Sequence, residues 1–232
     1  MFESACVVGA GRVGTALAAR LGESLPTRTT TRDLEIGDVD LVLLSVPDGE
    51  IGDVAEAIEP GPWIAHTSGS ASVEELRGHE RRFTLHPLQT FTLEGGREQL
   101  DGAWAAISGE SPEALAAAQK LATLLRVEPF ELSDEARPLY HAAAMMASTF
   151  TVTLHDVAAE LMTAAGGPPE ALIPLTRRTM DNGFRHTGPL VRGDTETVRR
   201  DGEAIQALGD EYIVLFAALV KAEARLLEEA LR

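Results

Sequence analysis

One short segment near the N-terminus constrains the fold more than any other. The apolar run Ala5-Cys6-Val7-Val8 leads straight into Gly9-Ala10-Gly11-Arg12-Val13-Gly14, and helical character follows. In a strand–turn–helix of the G-x-G-x-x-G type, the first glycine permits a tight turn, the second lets the backbone approach a pyrophosphate, and the third lets the helix pack on the strand. The segment therefore predicts a dinucleotide-binding turn. The alternative is a tight strand–helix turn that binds nothing.

The first half of the chain alternates between strands and helices, which predicts an α/β Rossmann domain with a doubly wound, mostly parallel sheet. After residue 133 only helices are predicted, so residues 1–133 form a dinucleotide-binding domain and residues 134–232 a helical one that shares the substrate cleft. The predicted strands are residues 5–8, 40–46, 63–67, 82–86, 104–108 and 127–132, and the predicted helices are residues 14–21, 49–58, 112–125, 135–165, 170–184, 195–208 and 210–231. Ser111 and Asp194 are the predicted start signals of the helices that follow them.

In such a fold the end of the second strand, roughly 20 residues after the glycine turn, distinguishes NAD from NADP. An Asp or Glu there would bind the ribose hydroxyls of NAD, but this chain has Thr29-Thr30-Thr31-Arg32. Hydroxyls beside a guanidinium suit a 2′-phosphate, so Thr31 and Arg32 are predicted to bind NADP. Asp33 and Glu35 follow closely, so NAD stays possible, and Arg32 on a solvated loop is the other interpretation.

The apolar run Leu41-Val42-Leu43-Leu44 ends at Ser45-Val46-Pro47. In a doubly wound sheet the carboxyl end of this strand faces the cofactor, so Ser45, Val46 and Pro47 are predicted cofactor contacts. The alternative is a core strand closed by a proline turn.

Two later strands also end in polar residues, at the edge where open α/β sheets bind ligands. His86 is the predicted proton shuttle, because the ordinary pKa of histidine lies near neutrality. Ser68 is a second catalytic candidate, and Ser70 and Gln89 are candidates for substrate binding. The alternatives are a turn with a helix cap at residues 68–70 and a strand-end cap at His86.

The long helix predicted over residues 135–165 places a mainly apolar set on one face: His141, Met145, Ser148, Val152 and His155. Such a stripe is usually core. His141, near the domain junction, is nevertheless a third catalytic candidate, and Ser148 a candidate for substrate binding.

Arg192 lies between turn residues of a later loop. It suits a clamp on a substrate carboxylate, or an ion pair with an acid of this acidic surface. No metal site is predicted, because the Cys and His spacings of metal motifs are missing.

Charge and apolar patterning limit the partners. The formal charge of −16 opposes binding to nucleic acid and anionic membranes. No apolar run is long enough for a transmembrane helix, and no signal peptide is predicted. The single cysteine, Cys6, fits a reducing cytoplasm. Residues 212–219 are too apolar for a solvated helix, so they must pack inside their own domain or on a partner subunit.

Six segments together resemble the 6-phosphogluconate dehydrogenase-like superfamily, and more closely its short branch of Rossmann-like oxidoreductases with a C-terminal domain of unknown function. The segments are GAGRVGTAL (9–17), LLSVPD (43–48), HTSGS (66–70), LHPLQTF (85–91), YHAAAMMAS (140–148) and GPLVRGD (188–194). The Ser-Gly-Ser and His-Pro pair is also similar to prephenate dehydrogenases, which implies contact of Ser68 and His86 with a substrate hydroxyl. The resemblance implies a homodimer formed through the C-terminal helices.

The sequence thus predicts a cytoplasmic, NADP-dependent oxidoreductase that transfers hydride to or from a small hydroxy, oxo or imino acid. Hydroxyisobutyrate-type relatives use a Lys with an Asn four residues on, whereas this chain has His141 and Met145 in that region. Thr149 also stands where the branch often has Asn. These departures favour the alternative, an NADP-binding sensor or scaffold that does not turn over.

Overall fold

A computed structural model describes residues 2–31 and 33–230 of the chain. The chain forms two compact units that divide between Ser148 and Thr149. The predicted domain boundary lies earlier, after residue 133. The first unit extends further because Arg137 ties the following helix, α4 (Arg137–Ala147), to the sheet through hydrogen bonds to Thr84 and Ser108.

A seven-stranded sheet, counted over the described residues, forms the first unit. The strands are β1 (Ala5–Val8), β2 (Thr27–Thr30), β3 (Leu41–Leu44), β4 (Trp63–His66), β5 (Arg82–Leu88), β6 (Trp104–Ser108) and β7 (Glu128–Glu131). They lie in the order β2-β1-β3-β4-β5-β6-β7, and every neighbouring pair is parallel except β5 with β6. The strand order reverses at β1, which pairs with both β2 and β3. The predicted Rossmann fold class is confirmed.

Helices cover both faces of this sheet, as the near-continuous apolar strands require. One face packs on α1 (Arg12–Leu21) and α3 (Pro112–Leu125), and the other on α2 (Ile51–Glu56). Cys6, in β1 at the point where the strand order reverses, is 0% exposed. Burial raises the pKa of its thiol, and Arg28 offsets part of that rise.

Alternation along β4, β5 and β6 gives their two faces different chemistry. Ala65, Phe83, Leu85, Ala105 and Ile107 belong to the apolar core on the α1 and α3 side. Because successive side chains of a strand point to opposite faces, His66, Thr84, His86 and Ser108 lie on the other side. The predicted proton shuttle His86 therefore shares one face of the sheet with three further polar side chains.

The prediction of a single long helix over residues 135–165 is wrong. A 3₁₀ turn at Asp134–Ala136 leads into α4, and a separate helix, α5 (Thr149–Ala164), follows. The break falls at Ser148, whose hydroxyl and amide both donate to the carbonyl oxygen of Ala144, at 2.7 and 3.0 Å. A serine hydroxyl that bonds back to the preceding turn bends a helix. Among the residues predicted to share one face, Val152 and His155 consequently belong to the second unit.

Both predicted helix caps are confirmed. The Ser111 hydroxyl accepts a hydrogen bond from the Ala114 amide (3.1 Å) at the start of α3. The Asp194 carboxylate accepts one from the Thr197 amide (3.1 Å) at the start of α7 (Thr195–Gln206). Each cap satisfies a backbone donor that the first turn of a helix leaves free.

The second unit consists of α5, α6 (Leu172–Asp181), α7 and α8 (Asp210–Ala230). None of its described residues is buried. Large apolar side chains are exposed instead, among them Leu175 at 62% and Val214 at 69%. The apolar segment of residues 212–219 lies within α8.

Over the residues that the structure describes, no helix has both the length and the apolar character needed to span a membrane.

Candidate functional site

The glycine turn between β1 and α1 is shaped by two glycines that tolerate no side chain. Gly9 has φ +111°, and a Cβ there would lie 2.2 Å from the carbonyl oxygen of Ser45. A Cβ on Gly14 would lie 2.0 Å from the carbonyl oxygen of Gly9. The turn is therefore packed against β3 on one side and against α1 on the other.

Gly11 differs, because a Cβ there would meet nothing within 4 Å. It is the N-cap of α1; no side chain caps that helix, and no acidic residue lies in its first turn. Free N–H groups and the positive end of the helix dipole attract an anion. The open backbone at Gly11 therefore fits the pyrophosphate of a dinucleotide, with Arg12 and Val13 beside it.

A cavity of about 260 Å³, here called the nucleoside cavity, lies beside the turn. Its lining is Val8, Gly9, Thr31, Leu34, Val46, Glu50 and Val54. This lining brings together three predicted cofactor contacts, Gly9, Thr31 and Val46. Another predicted contact, Arg32, lies outside the described residues. Thr31 and Glu50 supply a hydroxyl and a carboxylate, so this lining suits either nucleotide.

Asp33 is engaged in the loop after β2. Its carboxylate accepts hydrogen bonds from the Thr30 hydroxyl (2.9 Å) and the Thr31 amide (3.3 Å). These hydrogen bonds lower the pKa of Asp33, that from Thr30 most. The carboxylate stays ionised and fixes the backbone that carries Thr31.

A second cavity of about 350 Å³, here called the reaction cavity, opens where β1, β3, β4 and β5 end. Its lining is Gly11, Arg12, Val13, Ser45, Val46, Asp48, Thr67, Ser68, Gly69, His86 and His141. All three catalytic candidates, His86, Ser68 and His141, therefore share one cavity with the glycine turn.

The Ser68 hydroxyl organises the loop after β4. Its oxygen accepts hydrogen bonds from the amides of Ser70 (3.2 Å) and Ala71 (3.0 Å). The Ser70 hydroxyl donates to the carboxylate of Asp48 (2.5 Å), which begins the turn after β3. Ser68 thus has the turn-capping role that the sequence left as its alternative, at a position that still lines the reaction cavity.

His86 is held on the side of α4. Its Nδ1 lies 2.5 Å from the Tyr140 hydroxyl, and the two rings meet edge to face with centroids 5.5 Å apart. A Cβ on Gly69 would lie 2.9 Å from the His86 ring, so only glycine fits beneath it. Burial, with smaller effects from His141 and Arg137, lowers the pKa of His86 to about 4. The imidazole is therefore neutral at pH 7, and its pKa lies well below the near-neutral value on which the shuttle prediction relied.

His66 lies beneath the same loop and is fully buried. Its Nε2 contacts the Ser72 carbonyl oxygen (3.0 Å), and its Nδ1 accepts from the Ser68 amide (3.3 Å). Burial lowers its pKa to about 4. A neutral ring that donates at Nε2 and accepts at Nδ1 satisfies both contacts, so His66 supports the loop.

Arg137 is 1% exposed and joins α4 to the sheet. Its guanidinium donates to Thr84, to Ser108 (2.6 Å) and to the Asp134 carboxylate (2.6 Å). Because the charge is paired and hydrogen-bonded, burying it is tolerated. It fixes the helix that carries Tyr140 and His141.

The other predicted contacts lie outside the linings of both cavities. The Gln89 side chain accepts from the Thr90 amide (2.9 Å), and the Ser148 hydroxyl closes the end of α4. Pro47 precedes the 3₁₀ turn after β3, and the Ala10 carbonyl oxygen accepts from the Thr15 hydroxyl (3.3 Å). Arg192 belongs to the second unit and donates to the Thr187 carbonyl oxygen (3.0 Å). Their ligand contacts stay predictions.

Sequence reasoning missed Tyr140, Arg137 and Asp48. The sequence did hold a signal for Tyr140 and Arg137. The two residues are three apart on a helix and therefore neighbours on the same face. Asp48 was visible only as the last residue of a motif. Among the described residues, no group of three or more His, Cys, Asp or Glu side chains could hold a metal ion.

A doubly wound sheet with a glycine turn at its switch point and a cavity beside that turn defines the Rossmann class of dinucleotide-binding folds. Within that class, the chain belongs to the family described as a domain of unknown function, DUF2520, whose model matches residues 103–222. Among curated proteins, none matches the chain by sequence.

Solved structures share this fold along nearly the whole chain. Protein TM1727 from Thermotoga maritima has 25% identity and a TM-score of 0.81, over 98% of this chain and 100% of that one. BF3122 from Bacteroides fragilis, provisionally classed as an NADP oxidoreductase, has 20% identity and a TM-score of 0.79, over 96% and 98%. A 1-pyrroline-5-carboxylate reductase from Streptococcus pyogenes has 15% identity and a TM-score of 0.61, over 93% and 98%. The fold is that of Rossmann oxidoreductases.

Proposed function

We propose that this protein is an NADP-dependent oxidoreductase that transfers hydride to or from a small hydroxy, oxo or imino acid. The proposal is carried by one observation: the open backbone at Gly11 and the ring of His86 line the same cavity. A nicotinamide cofactor at the glycine turn supplies the hydride, and the chain orients the reactants and handles the proton.

Relatives of the same fold support this proposal. A pyrroline carboxylate reductase from Plasmodium falciparum, with a TM-score of 0.61, was solved with NADP bound. We assign the chain to the wider 6-phosphogluconate dehydrogenase-like superfamily on the motifs of its sequence. The preference for NADP over NAD rests on Thr31 and Arg32.

The chain's own residues have distinct roles in this proposal. Gly11, Arg12 and Val13 hold the pyrophosphate, and Ser45 and Val46 border the cofactor from β3. His86 contacts the oxygen or nitrogen whose carbon exchanges hydride, since a neutral imidazole donates a hydrogen bond without carrying charge. His141 lines the same cavity, and the Ser68 loop positions the His86 ring through Gly69.

Cofactor binding is the first test. Calorimetry with NADP and NAD should give a saturable isotherm, tighter for NADP. Gly11→Ala should weaken binding at least tenfold with an unchanged melting temperature, because the added methyl meets no protein atom but stands where the pyrophosphate approaches. Gly202→Ala is the matched control, since its Cβ would make only ordinary contacts in the second unit, the nearest at 3.6 Å. Flat isotherms for both nucleotides on folded protein would overturn the proposal.

Turnover is the second test. NADPH oxidation should be followed over a panel of oxo acids and cyclic imines, with the reverse reaction on hydroxy acids. His86→Ala should abolish the turnover found and keep the cofactor affinity. Binding without turnover on the whole panel would favour the alternative function, an NADP-binding sensor or scaffold.

We further propose that the protein is a cytoplasmic homodimer formed through its C-terminal helices. The support is the second unit, in which no described residue is buried and Leu219 is 45% exposed within α8. Exposed apolar surface of this extent marks an interaction site. Light scattering should give twice 24.7 kDa, and Leu219→Glu should shift the protein toward the monomer. A monomer at all concentrations would reject the dimer.

A further inference from the structure

Two neighbours fix the orientation of the His86 ring. The Tyr140 hydroxyl lies 2.5 Å from Nδ1, and the backbone of Gly69 lies against the ring face. Tyr140 is itself held edge to face against Phe130, with centroids 5.9 Å apart. The hydrogen bond therefore joins two rings that packing has already placed.

The states of the two groups allow the Tyr140 hydroxyl to donate to Nδ1. Burial raises the pKa of Tyr140 to about 12, so its hydroxyl keeps its proton and can donate. Burial lowers the pKa of His86 to about 4, so the imidazole is neutral and has one nitrogen that accepts. With the tyrosine as donor, Nδ1 is the acceptor and the ring proton lies on Nε2.

Nε2 is the ring nitrogen that the contact with Tyr140 leaves available to the reaction cavity. It has no hydrogen-bond partner among the described residues, and it is not one of their buried unpartnered side-chain atoms, which are Arg20 Nε and His79 Nδ1. His86 also lines the cavity. An Nε2–H group is thus presented to whatever occupies that space.

We propose that Tyr140 is a positioning residue that holds His86 in its Nε2–H form and hands it a proton during turnover. The inference rests on the proposed function for the turnover part, and on this chain alone for the tautomer. A neutral imidazole that simply lost its Nε2 proton would become a strongly basic imidazolate. Simultaneous transfer from Tyr140 to Nδ1 avoids that species.

The atoms balance in the reductive direction. As hydride reaches the substrate carbon, the Nε2–H bond breaks and its proton goes to the substrate oxygen or nitrogen. The Tyr140 O–H bond breaks in the same step, and its proton forms the new Nδ1–H bond. The phenolate, on a half-buried residue, then recovers a proton from water.

The test compares Tyr140→Phe with Tyr212→Phe, the same change at the chain's other tyrosine. The Tyr212 hydroxyl donates to Glu160 in the second unit, at 2.7 Å. In Tyr140→Phe the phenyl ring can keep the contacts with Phe130 and His86, so only the hydroxyl is lost. Nitrogen NMR of the imidazole rings measures the tautomer of His86, and the loss of a signal in His86→Gln assigns it. The measurement needs neither cofactor nor substrate.

Wild type and Tyr212→Phe should show an unprotonated Nδ1 on His86, and Tyr140→Phe a mixture of both tautomers. A protonated Nδ1 in wild type, or an unchanged spectrum in Tyr140→Phe, would overturn the inference. On any panel compound that turns over, Tyr140→Phe should lower kcat at least tenfold and keep KM within twofold. An unchanged kcat would also overturn it, whereas a panel with no turnover counts against the proposed function and leaves the NMR result to decide on the tautomer.

Discussion

The two compact units differ in where their apolar side chains are. The first buries an apolar core on both faces of its sheet, with Leu17, Phe83 and Leu121 each at 0% exposure. The second is entirely helical, and none of its described residues is buried. A unit of this size whose side chains are at most partly buried gains less from apolar burial, the main favourable contribution to folding. We therefore expect the first unit to be stable by itself and the second to depend on additional contacts.

The largest expected difference between the two units is in the stability lost when a large apolar side chain is truncated. Phe83 stacks near Phe2 and Trp63, with ring centroids 6.4 and 5.9 Å away. Phe83→Ala should lower the free energy of unfolding by about 3–5 kcal/mol. Leu175→Ala, at a residue 62% exposed in the second unit, should cost less than about 0.5 kcal/mol in dilute protein. Urea unfolding measures both, and equal costs at low concentration would contradict the comparison.

A similar contrast is expected for two arginines. Arg137→Met removes a buried guanidinium from Asp134, Thr84 and Ser108, and should cost about 3 kcal/mol. Arg199 in α7 makes exposed ion pairs with Glu196 and Glu203, so Arg199→Met should leave stability nearly unchanged. Thermal melts in low salt compare the two variants, and similar losses would mean that Arg137 contributes no more than a surface residue.

Acid should destabilise the first unit through His66. Its pKa is about 4 when folded and near the ordinary histidine value of 6.5 when unfolded. Between these values the unfolded chain binds more protons, so stability falls as pH drops, by on the order of 3 kcal/mol over the window. His86 has a similar shift, so His66→Asn should remove about half of the combined slope in urea titrations at pH 4 to 6.5. A slope unaffected by His66→Asn would refute this assignment.

The smallest expected effect concerns the two helix caps. Ser111→Ala removes the acceptor of the Ala114 amide and should cost about 1 kcal/mol. Asp194→Ala removes the equivalent acceptor of the Thr197 amide, and the first turn of α7 should fray. Hydrogen exchange at these two amides reports each cap separately. Unchanged exchange at the Thr197 amide in Asp194→Ala would show that Asp194 caps nothing in solution.

Much of the fold was predictable because the sequence pattern is local. The apolar run before Gly9 predicted β1, and Ser111 with Pro112 predicted the start of α3. The edge strand β2 was harder to recognise, because Thr27–Thr30 is polar and lies where a loop is equally plausible. The break at Ser148 was missed, since helical periodicity continues through it and only a side-chain hydrogen bond ends α4.

The site was predictable in its residue types and not in its energetics. Strand ends located His86 and Ser68, because parallel strands finish at one edge of the sheet. The neutral state of His86 depends on burial beside α4, and Arg137 looks in sequence like any solvated arginine. Such properties arise from long-range packing, which no local pattern specifies.

Cys6 provides a natural reporter of how the sheet opens. It is the chain's one thiol, it lies fully buried in β1, and burial raises its pKa, so alkylating reagents should not reach it in the native fold. The labelling rate of the wild-type protein would therefore measure how often β1 separates from its neighbours β2 and β3. A bound dinucleotide should lower the rate of Cys6 labelling, and more strongly the tighter it binds. The labelling rate is therefore a binding assay that requires neither a substrate nor a mutation.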